Sequence, residues 1–190
     1  MMLSRAACMI AVCGACIAPP AGAAPWVLDP ATTIGVDVAW EGAVVTVRFP
    51  PPTGSVDFDP AHPERARATV TVPAAEATAG SPIVDALVRG PEYLGAAQWP
   101  EIDFRLTGLR QTSKQTADVT GEMTLRGVTR PVAFAAQVIR YGPAAADPSR
   151  FEAGFDLTGR IDRTDFGSTG GLPEVAAVLP VHIRLLMHSE

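Results

Sequence analysis

The sequence predicts an all-β fold: an eight-stranded antiparallel barrel with a short helical segment at one end, at about residues 81–97. The first observation is a period of two, because apolar and polar residues alternate in nearly every segment after residue 33. Such alternation is typical of antiparallel strands with one buried and one solvated face. The second observation is that stretches rich in Gly and Pro separate these segments and mark turns.

The alternation gives each predicted strand one apolar face. We expect these faces to point into the barrel and the intervening polar residues to face solvent. The apolar sets are Ile34, Val36, Val38 and Trp40; Val45, Val47 and Phe49; Val56 and Phe58; Ala68, Val70 and Val72; Ile102, Phe104 and Leu106; Val119, Met123 and Leu125; Val132, Phe134 and Ala136; Phe155 and Leu157; and Val181, Ile183, Leu185 and Met187.

A closed barrel is favoured over a sandwich. The strands predicted at 116–125 and 151–161 are long and most connections are short, which suits sequential neighbours in an up-and-down barrel. A barrel of about eight strands is wide enough either to be filled by side chains or to hold one small ligand. Small inner-face residues such as Ala68, Gly121 and Gly159 favour a cavity, although they also relieve crowding where a barrel tapers.

One interval departs from the period of two and predicts a helix. Ser81 is a suitable N-cap, and Pro82 follows at the first helical position. Apolar residues come next at helical spacing, and Gly90 with Pro91 ends the helix. Residues 92–97 are expected to add one or two further helical turns. The helix is expected to pack at one end of the sheet.

The stretch 121–134 predicts a strand, a tight turn and the start of the next strand. Gly127 can adopt a positive φ, and Pro131 lies near a strand start, where a missing N–H is tolerated. The stretch contains no nucleophile–base pair and no cluster of metal ligands, which favours binding over catalysis. Further along, Ala and Pro residues predict a surface loop at 141–149.

The first 23 residues predict a cleavable secretory signal peptide. A short basic start ending at Arg5 precedes an apolar run at 6–18 and a small-residue segment at 19–24. We expect cleavage after Ala23 or Ala24, export to the periplasm, and a barrel domain over 24–190. The three cysteines all lie within this leader, so the mature domain is expected to have no disulfide and no cysteine-bound metal.

The charge and the histidines exclude several function classes. The whole chain carries a formal charge of −5, and a mildly acidic domain without a basic run argues against nucleic acid as a partner. His62, His182 and His188 do not cluster in the sequence, so no metal site is predicted. No Gly-x-Ser-x-Gly motif is present to form a hydrolase nucleophile elbow, and an enzyme is not expected.

Five motifs occur in a defined order: 26–30, 54–60, 85–104, 121–132 and 155–167. The fourth reads Gly-x-Met-Thr-x-x-Gly-x-Thr-x-Pro-Val, and the fifth contains Arg163-Thr164-Asp165-Phe166-Gly167. From residue 26 to residue 187, the chain resembles the YceI-like polyisoprenoid-binding family. The resemblance implies a lipocalin-like barrel.

The resemblance also implies a function: an exported protein that holds a long apolar isoprenoid, of the polyprenyl or quinone type, inside its barrel as a carrier or sequestering protein. No other cofactor is implied. Asp85, Arg89 and Arg163 are candidates for the rim of the pocket. The predicted apolar wall consists of Val36, Val38, Trp40, Val45, Val47, Phe58, Phe104, Met123, Leu125, Phe134, Phe155 and Leu157.

An alternative hypothesis is a filled barrel that binds no ligand and docks a membrane redox protein. It is motivated by Trp40, Leu87 and Leu179, which stand where the family often has polar residues near the cavity mouth. A hollow or a solid interior distinguishes the two hypotheses. Neither the head group of the ligand nor the oligomeric state follows from the sequence.

Overall fold

Antiparallel pairing of neighbouring strands closes the chain into a barrel. The computed structural model describes residues 24–189, and the predicted signal peptide lies outside them. A single α-helix, α1, spans Pro82–Arg89 in this part of the chain, and short 3-10 helices lie at 63–65, 74–76 and 163–166. The strands are β1 (Ala24–Leu28), β2 (Thr33–Trp40), β3 (Ala43–Phe49), β4 (Thr53–Phe58), β5 (Arg67–Pro73), β6 (Glu101–Gln111), β7 (Thr116–Leu125), β8 (Val128–Pro143), β9 (Phe151–Asp162) and β10 (Val178–Ser189).

These strands occupy eight positions around the barrel. β1 and β2 lie end to end along β10, with Leu28 opposite Met187 and Thr33 opposite Arg184. β3 pairs with β2 and β4 pairs with β1, so these two also follow one another in a single position. The remaining strands pair in chain order from β4 to β10. The predicted eight-stranded antiparallel barrel is therefore confirmed. Two of its eight positions are each occupied by two short strands, one by β1 and β2 and the other by β3 and β4.

The side chain of Thr32 maintains barrel closure across the break between β1 and β2. Its hydroxyl accepts a hydrogen bond from Leu186 N at 3.0 Å and donates one to Leu186 O at 3.1 Å. Asp29 N donates to the same carbonyl at 2.8 Å. Thr32 is only 2% exposed, so these groups satisfy the backbone of β10 where strand pairing is interrupted.

The strand directions give the barrel two different ends. The helix end carries α1, the 126–127 turn and the segment 163–177, and the loop end carries the connections 59–66, 112–115 and 144–150. Two-residue turns close two hairpins at the helix end, Glu41-Gly42 and Arg126-Gly127. All four of these residues have positive φ, as a type I′ hairpin requires.

Two predicted boundaries are wrong. The helix ends at Arg89, and residues 91–98 form turns instead of further helix. Ser81 precedes the helix, but its side chain makes no capping hydrogen bond. The predicted loop at 141–149 begins too early, because β8 runs to Pro143 and pairs with Phe151–Ala153 beyond a bulge near Ile139.

Aromatic rings occupy some of the space beside the small inner-face residues. A Cβ atom at Gly121 would overlap the ring of Phe104, and one at Gly159 would lie 2.5 Å from a ring carbon of Phe134. The two rings pack edge to face, with centroids 6.1 Å apart. At these two positions glycine relieves crowding, whereas Ala68 and Ala136 border open space.

Substitution of Gly121 by Ala is expected to destabilise the barrel by about 1–3 kcal/mol, because the new methyl group overpacks against Phe104. Gly142 is the control, since a Cβ there meets nothing within 4 Å, and Gly142→Ala is expected to be neutral or slightly stabilising. Urea unfolding of both variants measures the difference. Equal stabilities would contradict the packing of Phe104 over Gly121.

Candidate functional site

A cavity of about 760 Å³ runs through the barrel and is lined by residues from both of its ends. This volume lies within the range of about 300–1,000 Å³ that is typical of small-molecule pockets. Its middle section is lined by the inner faces of the strands, which present aliphatic and aromatic side chains. The hydrophobic residues are therefore not gathered into one solid core, and the buried ones form separate clusters around the wall.

Every residue predicted for the apolar wall lines this cavity. Val47, Met123, Leu125 and Phe134 are buried, and Trp40 is 42% exposed at the helix end. This placement follows from the alternation. Successive side chains of a strand point to opposite faces, and each of these residues occupies a position whose side chain points into the barrel. That these side chains contact a ligand remains a prediction.

Helix α1 also contributes to the cavity wall, through Val84, Leu87 and Val88. These residues were absent from the predicted site, although their helical spacing is the signal that could have placed them there. Leu87 is 50% exposed and Ile83 is 84% exposed, so the helix presents apolar side chains both to the cavity and to solvent.

Asp85 and Arg89, which were predicted at the rim, are not among the residues that line the cavity. Instead they fix α1 to the preceding segment. The Asp85 carboxylate accepts hydrogen bonds from Ala79 N at 2.6 Å and from the Thr78 hydroxyl at 3.0 Å. Arg89 Nε donates to Ala77 O at 2.8 Å, and the guanidinium lies 3.5 Å from Asp85.

These contacts also determine the protonation of Asp85. The Ala79 N–H has the largest effect and, together with the Thr78 hydroxyl and Arg89, holds the pKa of the Asp85 carboxyl below its ordinary value of 3.8, against the opposing effect of burial. The charged form is thus the one that holds α1 in place.

Arg163, the third predicted rim residue, does line the cavity at the helix end. It is 4% exposed, and its guanidinium donates to the carbonyl oxygens of Ser168, Gly170, Val175 and Ala176 at 2.7–3.0 Å. Its Cζ also lies 5.7 Å from the centre of the Tyr93 ring, a cation–π contact. Burial lowers the pKa of Arg163, but arginine remains charged in proteins.

These bonds make Arg163 the centre of the segment 163–177. Most of its N–H groups already have partners, so its first role is to hold this segment over the helix end. An interaction that fixes this segment is the alternative to ligand contact. The structure shows such an interaction, made with backbone carbonyls and an aromatic ring; within residues 24–189 no carboxylate forms an ion pair with Arg163.

The barrel wall has a seam between β3 and α1. β3 pairs with β2 along one edge, and along its other edge Arg48 exchanges two backbone hydrogen bonds with Thr78. No further strand of the described residues pairs with that edge. Val44 there is 66% exposed. The seam lies beside the part of the cavity that is lined by Val45, Val47 and Leu87.

Polar residues line the cavity at the loop end, and none of them was among the predicted site residues. They include Arg67, Gln111, Lys114, Gln115 and Thr116. Their signal in the sequence was weak, because they stand at strand ends and in turns, where polar residues are common.

In residues 24–189 no group of three or more His, Cys, Asp or Glu is arranged to hold a metal ion. No helix in the same residues has the length and hydropathy to cross a bilayer.

Comparison with known proteins places the chain in a family. The sequence profile of the YceI-like domain matches residues 26–187. The chain belongs to the YceI-like family. Among solved structures, the barrel superposes on Burkholderia cenocepacia BcnA with a TM-score of 0.74 at 21% identity, over 84% of this chain and 98% of that one.

Other proteins are similar to this chain in fold or in sequence. A polyisoprenoid binding domain from Saccharophagus degradans superposes with a TM-score of 0.66 at 14% identity, over 87% of this chain and 98% of that one. At these identities the superpositions show a shared fold. A UPF0312 protein of Azotobacter vinelandii is 35% identical over 115 residues, 60% of this chain and 58% of that protein. A second, from Pseudomonas savastanoi, is 33% identical over 121 residues, 63% of this chain and 62% of that protein. The matches thus span about three fifths of these relatives.

The pKa of Asp85 predicts a pH-dependent anchoring of α1. Because the folded-state pKa is depressed, the stabilisation is complete above the ordinary value of 3.8 and is lost as the pH falls through the lower folded value. Asp85→Asn is expected to increase hydrogen exchange in residues 78–89 at neutral pH. Glu92→Gln is the control, since Glu92 is exposed and its side chain has no partner in residues 24–189. Unchanged exchange in Asp85→Asn would contradict the anchoring role.

Substitution of Arg163 by Met is expected to lower the free energy of unfolding by more than about 2 kcal/mol, because several buried carbonyl oxygens lose their donor. Arg163→Lys is expected to recover little of this, since one ammonium group cannot replace the planar set of donors. Arg160→Met, at an exposed position near the end of the preceding strand β9, is expected to change stability little. Urea denaturation tests all three, and full stability of Arg163→Lys would contradict the proposed role of the guanidinium.

Proposed function

We propose that this protein is an exported lipid-binding protein that holds a long apolar isoprenoid, of the polyprenyl or quinone type, in the barrel cavity. The observation that supports this most directly is the cavity itself, which is open along the barrel and lined mainly by apolar side chains. A tube of this shape suits an unbranched or methyl-branched chain better than a compact ligand. The wall supplies dispersion contacts without requiring a polar anchor along its length.

The energetics favour a long chain. Each methylene-sized group transferred from water to the apolar wall contributes about 0.8 kcal/mol. Several isoprene units in the tube would offset the loss of translational freedom and of rotamer freedom in a flexible ligand. The affinity is expected to grow with chain length until the cavity is full.

Two further observations support the class of ligand and the location. The fold is shared with a solved polyisoprenoid binding domain from Saccharophagus degradans. The first 23 residues have the charge and hydropathy pattern of a secretory signal peptide, which suits a periplasmic carrier or sequestering protein. The alternative of a ligand-free module that docks a membrane redox protein required a filled barrel, and the interior is hollow.

A single substitution inside the tube is expected to reduce ligand binding without unfolding the barrel. Ala136 faces the cavity, so Ala136→Leu adds volume where a ligand chain would lie. Ala135, the next residue along β8, is exposed on the outer face, so Ala135→Leu is a matched control. We expect wild type and Ala135→Leu to bind geraniol, farnesol and geranylgeraniol with rising affinity, and Ala136→Leu to bind geranylgeraniol more weakly.

Tryptophan fluorescence and calorimetry measure these affinities, and mass spectrometry of an organic extract identifies any lipid retained on purification. Circular dichroism and urea unfolding test that both variants keep the fold, as we expect. The proposal fails if no prenol binds and extracts repeatedly contain no lipid. Equal binding by all three proteins would place any bound prenol outside the cavity.

A further inference from the structure

The backbone of β3 has few partners on the side that faces α1. Arg48 directs its backbone N–H and C=O away from β2 and exchanges hydrogen bonds of 2.7 and 2.9 Å with Thr78. Alternate residues of a strand direct these groups the same way, so Val44 and Thr46 face this edge too. Within residues 24–189 no strand or bridge pairs with either of them on that side. In this part of the chain, two backbone hydrogen bonds therefore join β3 to the segment beyond it.

Helix α1 and the residues before it behave as one unit beyond this edge. The Asp85 carboxylate and the Arg89 guanidinium bond to the backbone of residues 77–79. At its other end the helix continues into the segment that leads to β6, because Val88 O and Arg89 O accept hydrogen bonds from Leu94 N and Ala96 N. The unit is thus firmly attached toward β6 and weakly attached to β3.

The cavity comes close to solvent at this seam. Leu87 is half-exposed although it also lines the cavity, so a single side chain separates the cavity from solvent there. On the two sides of the seam, Val44 is 66% exposed and Ile83 is 84% exposed. An apolar chain that approaches here meets apolar side chains outside the wall, within it and behind it.

The two ends of the barrel are less suited to admit such a chain. At the helix end, Arg163 holds four carbonyl groups of the segment 163–177, and Ala176 N donates to Ala39 O at 2.9 Å. Entry there would break this set of hydrogen bonds. At the loop end the lining is polar and includes Lys114, so an apolar chain would displace water from polar groups as it passed.

From these observations, and on the basis of the proposed function, we infer that the seam between β3 and α1 is a lateral portal through which the isoprenoid chain enters and leaves the cavity. The two hydrogen bonds of the Arg48–Thr78 pair break, and residues 77–89 move away from β3 while they stay attached toward β6. The pair forms again behind the chain. Uptake and release then pass through the same open state, so the portal determines both rates and leaves the affinity unchanged.

A disulfide across the Arg48–Thr78 pair tests this inference. Residues that exchange both hydrogen bonds in an antiparallel pair have Cα atoms about 5.5 Å apart, within the span of a disulfide. The test protein therefore carries Arg48→Cys and Thr78→Cys. In every protein compared, Ala replaces the three cysteines of the sequence, at positions 8, 13 and 16, so that no other thiol competes.

Stopped-flow tryptophan fluorescence measures the rates at which geranylgeraniol binds and dissociates, before and after reduction of the disulfide. We expect the oxidised form to bind and release it at least about tenfold more slowly than the reduced form, with the same Kd. The reduced form is expected to exchange the ligand at least as fast as wild type, since Thr78→Cys also removes a hydroxyl bond to Asp85.

The matched control is a disulfide where the strand pairing is complete. Thr120 and Ala133 are opposite one another on the exposed outer faces of β7 and β8. Oxidation of the Thr120→Cys, Ala133→Cys protein is expected to leave both rates unchanged. Circular dichroism of each protein tests that the barrel is retained.

Loosening of the unit is expected to have the opposite effect. Asp85→Asn removes the carboxylate that binds Ala79 N and the Thr78 hydroxyl. Both rates are expected to rise by about fivefold, as for the loss of one hydrogen bond on the closed side of the barrier. Glu92→Gln, at an exposed position beyond the helix, is expected to keep the wild-type rates.

The outcomes separate this inference from the proposed function. Equal rates in the oxidised and reduced forms would overturn the portal and assign entry to an end of the barrel, with the isoprenoid cavity intact. Equal slowing by the control disulfide would also overturn it, because the seam would then not be the part that limits entry. A large loss of affinity on oxidation would overturn the return of the Arg48–Thr78 pair around the bound chain. Failure of wild type and the reduced form to bind would overturn the function on which the inference rests.

Discussion

Backbone hydrogen bonding around the closed ring is the interaction on which the rest of the structure depends. A hollow interior cannot supply the continuous packing that holds together most domains of this size, so the strand ladders must carry more of the stability. The ring is closed where β10 meets β1 and β2, and there Thr32 substitutes for strand pairing by bonding both backbone groups of Leu186. Closure also removes most of the free sheet edge that would otherwise invite aggregation, and among the described residues the outer edge of β3 is the part left without a neighbouring strand.

Packing then stabilises the barrel locally rather than globally. One buried cluster includes Trp26 and Met187 near the loop end, another includes Val119 and Phe134 in the middle, and a third includes Leu125 and Phe166 near the helix end. Each cluster joins neighbouring strands to one another. Together they leave the axis of the barrel open.

The period of two was enough to predict the wall. Residues such as Val36, Phe104 and Met123 occupy the inward positions that the alternation assigns, because side-chain direction in a strand is determined by parity alone. The alternation does not show whether side chains from opposite walls of the barrel touch, so the sequence did not distinguish a hollow barrel from a filled one. It also could not show that the rings of Phe104 and Phe134 cover Gly121 and Gly159.

The ends of the barrel were harder to predict because their contacts are distant in sequence. The carbonyl partners of Arg163 come from a segment without regular structure. Asp85 and Arg89 stand one helical turn apart in α1, yet the backbone groups that they bind belong to residues 77–79 and have no signature of their own. The cations of the loop end stand in positions where exposed polar residues are common in any protein.

The barrel wall resists widening less at the seam between β3 and α1 than it does elsewhere. Elsewhere, widening of the barrel requires a whole ladder of hydrogen bonds to separate at once. Beside β3 it requires the loss of two backbone bonds between Arg48 and Thr78 and of the few contacts that hold α1. Compliance is therefore concentrated on one side of the helix end, while the rest of the ring keeps its shape.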